Sequence, residues 1–277
     1  ALAAAVPAAG APRPVVELPR GGVSVLPEHR VVAIAGAPQA DALGILGIGP
    51  PAQARRALAR LAAPFDGPGG RPVLPAMELI TVVAQPTPGR SGLYRLRQHP
   101  DVVRRYLQEA RRARALLILD VQPGRADFPR EVRALAPFLR EPEVGVALDP
   151  EWRMGAGQVP GRTLGSVDAL EVNRVSAFLS RVVAAHGLPD KVLMVHQFTG
   201  SMIRRRELLR PYPGVDLVIT ADGIGTPAAK RVTYERLMRG TNRLHRGFKL
   251  FFEEDRGLMP PGAVLRMDPP PDLVVYE

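Results

Sequence analysis

Eight short apolar runs, with helix-patterned segments between most of them, constrain this chain more than any other feature. They span residues 31–36, 77–84, 116–120, 144–148, 192–195, 215–220, 248–252 and 273–276. Amphipathic or capped segments at 52–63, 100–115, 128–140, 167–186, 228–237 and 263–267 read as helices. In the second of these, Val102, Val103, Tyr106, Leu107 and Ala110 recur at i, i+3, i+4 spacings. Strand–helix alternation predicts a parallel sheet, and a count of eight predicts a single-domain α/β fold, a (β/α)8 TIM-type barrel. Such a barrel needs about 250 residues, and the chain has 277. No G-x-G-x-x-G follows the first run, which argues against a dinucleotide-binding sheet.

The fourth run sharpens the expectation. Side chains two apart on a strand share a face, so Gly145, Ala147, Asp149 and Glu151 point one way and Val144, Val146 and Leu148 the other. Small residues inward and branched ones outward suit a barrel strand, with helices packed outside. The run ends in two carboxylates and the only Trp, Trp152. Barrel enzymes take their catalytic groups from that end.

Other runs end similarly. Asp120 (with Gln122 just beyond), Asp149 with Glu151, His196 with Gln197, Asp222, and Glu253-Glu254-Asp255 all fall at predicted strand ends. Burying charges at one rim costs free energy unless they are paired or used. Any one of them can belong to a structural network, whereas the whole set predicts a site.

This placement resembles the large retaining glycoside hydrolase superfamily, whose barrels carry an acid/base on strand four and a nucleophile on strand seven. The resemblance implies that Glu151 is the acid/base and that Glu254, or else Glu253, is the nucleophile. Asp120, Gln122, Asp149, Trp152, His196, Gln197, Asp222, Glu253 and Asp255 would then contact the carbohydrate. The strand-four ending Asp149-Pro150-Glu151-Trp152 lacks the Asn that usually precedes the acid/base in that superfamily. The chain as a whole, through LDVQPG at 119–124, ALDPEW at 147–152, MVHQF at 194–198, ADG at 221–223 and PDLVVY at 271–276, resembles a family of secreted proteins or lipoproteins of high-GC actinobacteria. That resemblance implies a barrel and export, and no particular activity.

Two other classes compete. The same acids with His196 could collect a divalent metal for (phospho)ester hydrolysis, although no H-x-H, H-E-x-x-H or D-x-D doublet is present. Otherwise no cofactor is implied. Alternatively, the barrel binds a cell-wall glycan without chemistry, in which case its mouth should be plugged rather than concave. A serine hydrolase is weaker, since Ser201 lacks a G-x-S-x-G context. Arg204-Arg205-Arg206 reads as a solvated basic helix start, or else as a contact for a phosphate or carboxylate.

Composition sets the remaining bounds. Net charge +10 with only 5% aromatics, not interleaved with the arginines, predicts solvated basic faces rather than nucleic-acid binding. The absence of cysteine removes thiolate chemistry and disulfides. Residues 1–30 read as an Ala/Pro-rich tail and irregular lead-in, an export remnant or linker, with the barrel at 31–277. A secreted or envelope-associated protein with a carbohydrate or cell-wall polymer as partner is the resulting expectation.

Overall fold

A computed structural model describes residues 15–277 apart from 39, 68, 69 and 242, so the tail at 1–14 lies outside the described residues. The eight barrel strands are β1 (Arg30–Gly36), β2 (Val73–Ala84), β3 (Leu116–Val121), β4 (Val144–Leu148), β5 (Lys191–Gln197), β6 (Val215–Ala221), β7 (His245–Leu250) and β8 (Leu273–Tyr276). Each pairs in parallel with its neighbours in chain order, and β1 pairs with both β2 and β8. The sheet therefore closes into a single-domain (β/α)8 TIM-type barrel. Closure is what leaves the edges without unpaired backbone.

Helices α1 (Pro51–Ala62), α2 (Pro100–Ala113), α3 (Phe128–Ala134), α4 (Ala136–Leu139), α5 (Ala169–His186), α6 (Pro227–Met238) and α7 (Pro261–Leu265) form the outer layer. Their starts follow from local chemistry. Asp127, Asp168 and Thr226 each accept a backbone N–H of the first turn. The single helix expected at 128–140 is two pieces, because Pro137 has no N–H to continue the ladder. No α-helix connects β5 to β6; two single-turn 3-10 helices, Gly200–Met202 and Arg206–Leu208, lie there instead. No helix among the described residues is long and apolar enough to cross a membrane.

Strand alternation separates two cores. Outward residues such as Val144, Val146, Leu148, Leu193 and Leu217 pack against the helices. Inward residues Val31, Ala33, Leu74, Ala76, Ile118, Ala147, Met194, Val218 and Val275 fill the barrel. The face assignment expected for the fourth strand holds. Gly145 belongs to this interior phase, and a Cβ there would meet the Val192 carbonyl oxygen at 2.8 Å.

The lead-in is part of this core. Leu18, Val25 and Leu26 join the interior cluster and cork the N-terminal end of the barrel, with the Leu26 N–H donating to Asp216 at 3.0 Å. The barrel is thus closed at one end, where Asp216 and His245 stand 3.6 Å apart among apolar side chains. Most ionisable residues of the inward phase lie toward the other.

Lys191, the first residue of β5, has the outward phase of Leu193 and Val195. Its Nζ is buried and donates to the carbonyls of Glu141 and Val144, both at 2.9 Å. Burial lowers its pKa to about 8, against partial compensation from Glu143 and Glu141. The unfolded chain holds that proton up to about pH 10.5, so folding stability should rise from about pH 8 to 10.5. Denaturant titrations of wild type and Lys191→Met at pH 7.5 and 10 should differ in their pH increment by about 2–3 kcal/mol. Parallel pH profiles would mean that Lys191 stays charged in the fold.

Candidate active site

The C-terminal half of the barrel interior is ionisable. β2 contributes Glu78, β3 Asp120 with Gln122 beyond it, β4 Asp149, β5 His196, β6 Thr220 with Asp222 beyond it, and β7 Lys249. Glu277 follows β8, and Glu151 lies in the single turn after β4. All eight ionisable groups except Glu151 and Glu277 are less than a tenth exposed.

His196 ties the set together. It is wholly buried, with Nε2 2.8 Å from Glu78 Oε1 and Nδ1 hydrogen-bonded to Asp222 Oδ2. Asp149 Oδ1 stands 3.8 Å from the same Nε2. Two ring nitrogens facing two carboxylate oxygens must both donate, which makes the ring an imidazolium. Burial opposes that charge, but Asp222, Asp149 and Glu78 outweigh it and raise the His196 pKa well above its ordinary value. Lys249 behaves alike: burial is outweighed by Glu277, with which it pairs, and by Asp222 and Glu78.

These two cations face six carboxylates: Glu78, Asp120, Asp149, Glu151, Asp222 and Glu277. Burial, reinforced by Asp149 and Glu78, pushes the Asp120 carboxyl well above the usual range. Burial likewise pushes Asp149 up, and pushes Glu151 well up with Asp149 adding to it. One oxygen each of Glu78, Asp120, Glu151 and Asp222, and the Thr220 hydroxyl, is buried without a hydrogen-bond partner. So dense a set of orphaned acceptors in one lumen asks for a cation or protons.

Above this floor opens a cavity of about 360 Å³, lined by Asp120, Gln122, Asp149, Glu151, Asp222, Lys249 and Glu277. Leu43, Ile80, Trp152, Phe198, Ile224 and Phe251 form its apolar wall. The mouth is concave and open. It brings together most of the residues expected from the sequence. Gln122 Nε2 donates to Asp149 Oδ2 at 3.1 Å and its carbonyl accepts from Ala84 N–H, so it orients that acid. Gln197 has the opposite strand phase, does not line the cavity, and donates to the Thr199 carbonyl.

The strand-seven acids are the main correction. β7 ends at Leu250 rather than 252, and residues 252–254 form a turn. Alternation therefore does not carry Glu254 to the mouth. Glu253 and Glu254 are exposed and border a separate small cavity beside Ala42, Ile45 and Phe252. Asp255 holds the turn down: it accepts from Phe251 N–H and Gly225 N–H, and pairs with buried Lys230 at 2.9 Å. Glu253, Glu254 and Asp255 do not line this mouth, although Glu277 borders both cavities. Arg204 and Arg205 are exposed; Arg205 pairs with Asp168.

Sequence reading passed over Glu78, Lys249, Thr220 and Glu277. The signal was present for two of them: Glu78 is the one charge in β2, and Lys249 the one charge in the apolar run 248–252.

No protein-family model matches the chain, and no curated protein matches it. Among solved structures it is similar to 2,3-dimethylmalate lyase, described as a PEP mutase/isocitrate lyase superfamily member, with a TM-score of 0.48 and 14% identity. The match covers 90% of this chain and 76% of that one. At this TM-score the likeness carries no argument, and the barrel stands on its own strand pairings. The expectation of a glycoside hydrolase with Glu151 and Glu254 as its pair is overturned, because Glu254 does not share the mouth with Glu151.

Two outcomes test this description. Glu254→Gln should leave stability unchanged within about 0.5 kcal/mol, as an exposed substitution does. Lys249→Met should cost about 3–5 kcal/mol in denaturant titrations, because it strands buried carboxylates. Equal effects of the two changes would remove Lys249 from the role of counter-ion.

Proposed function

We propose that this barrel is a divalent-cation-dependent enzyme whose floor of carboxylates holds the ion, and that it hydrolyses an oxyanion ester such as a phosphoester. The observation that carries the reading is the excess of buried acid: six carboxylates against two side-chain cations, with four carboxylate oxygens that no protein donor reaches.

The residues fit such an ion. Glu78, Asp120 and His196 bring ligand atoms within 4.8 Å of one another. His196 spends both nitrogens on carboxylates, so Glu78 and Asp120 would hold the ion, with the free oxygens of Glu151 and Asp222 in the same lumen. An all-oxygen set suits Mg²⁺, Mn²⁺ or Ca²⁺ rather than a softer metal. When bound, such an ion would polarise a phosphoryl oxygen and acidify a water.

The chain's own groups would do the rest. Lys249 would orient an anionic head over the floor and offset its charge. Glu151, with Oε2 free of protein donors, would hold or pass a proton beside the leaving group. His196 would keep Glu78 and Asp222 in place as a positioning residue. The open, concave mouth supports a working site over a filled, non-catalytic relic.

Calorimetric titration of the wild type with Mg²⁺ and Mn²⁺ should show one site, and Asp120→Asn should weaken it by at least about tenfold. Phosphoesterase activity should vanish with EDTA and return with Mg²⁺. Activity indifferent to EDTA, with no heat of cation binding, would sink the proposal.

A further inference from the structure

The mouth is lined by apolar side chains as well as acids, and the apolar ones have no task in the reading above. The six are Leu43, Ile80, Trp152, Phe198, Ile224 and Phe251. Two of them stand out by position. Ile224 is 60% exposed, directly after Asp222-Gly223 at the end of β6. Trp152 is the only Trp, and it directly follows the acid Glu151. The other aromatic side chains are largely spent on packing, as in the Phe65–Tyr276 and Tyr234–Phe248 contacts. Here three rings border one cavity beside an exposed isoleucine.

We infer that the substrate is a small amphipathic ester, with an oxyanion head on the acid floor and a flat apolar group against Trp152, Phe198 and Ile224. The inference rests on the cation reading for its head and on the wall alone for its body. A sugar body fits poorly. None of the six wall side chains except the Trp152 indole N–H offers a hydrogen bond, so ring hydroxyls turned to them would lose partners on leaving water. A body with no hydroxyls gains by burial there. The volume, about 360 Å³, lies at the small end of ligand sites, room for one ring and a head group.

The lone Trp makes the test direct, because its fluorescence reports only on this mouth. The full chain would be titrated, in saturating Mg²⁺, with phenyl phosphate, inorganic phosphate and phenol. Phenyl phosphate should shift Trp152 emission and bind at least about tenfold tighter than inorganic phosphate, as burial of one ring implies. Phe198→Ala and Ile224→Ala should each weaken phenyl phosphate several-fold and leave inorganic phosphate unchanged. Equal binding of the two phosphates, or wall variants without effect, would overturn the inference. A response to phenol that the wall variants abolish, with neither phosphate binding, would keep the apolar body and sink the oxyanion reading of the floor. Silence with all three probes would overturn both.

Discussion

The structure depends on how one imidazole is held. His196, with no solvent exposure, sits between Glu78 from β2 and Asp222 beyond β6, and so fastens strands that are far apart in sequence. A charge in such a place is costly to bury unless every hydrogen bond is made. The ring meets that condition and lets two carboxylates share the lumen. Lys249, paired with Glu277, performs the same service on the far side. Even so, acid exceeds base, and the unreached oxygens of Glu78, Asp120, Glu151 and Asp222 mark where the protein has left the balance to something else.

The barrel makes this arrangement affordable by dividing its interior along the axis. The N-terminal half is largely apolar apart from Asp216 and His245, and it is corked by Leu18, Val25 and Leu26. The ionisable half lies under a wall of aromatic and aliphatic side chains. Low polarity around the floor strengthens each charge–charge interaction there, and it is the same condition that drives Asp120 and Glu151 toward holding protons. In the ligand inferred above, the acids would take the head and the apolar wall the body.

Much of the fold was legible because it rests on periodicity. Each of the eight apolar runs became a barrel strand, and Gly145, Ala147 and Asp149 face inward as alternation requires. Departures have local causes. Pro137 splits a helix that the apolar pattern runs together. β7 stops at Leu250, where the chain turns and Asp255 anchors the turn to Lys230, so a triplet of acids that looks like a strand end is a surface turn with one structural member. Glu254 was carried to the mouth by resemblance to barrels whose seventh strand ends in a nucleophile, and here that strand stops four residues short of it.

By itself, the sequence determined the eight-stranded parallel barrel, which face of strand four is internal, and that Asp120, Asp149, Glu151, Trp152, His196 and Asp222 gather at one end. Those follow from side-chain periodicity, a property of local backbone geometry. Only the tertiary structure decided that Glu78, Lys249 and Glu277 belong with them and that Glu253, Glu254 and Asp255 do not. Whether a charge in an apolar strand is neutralised, orphaned or solvated depends on what the closed ring places across from it. That distance is set by strands as many as 118 residues apart, as Glu78 and His196 are.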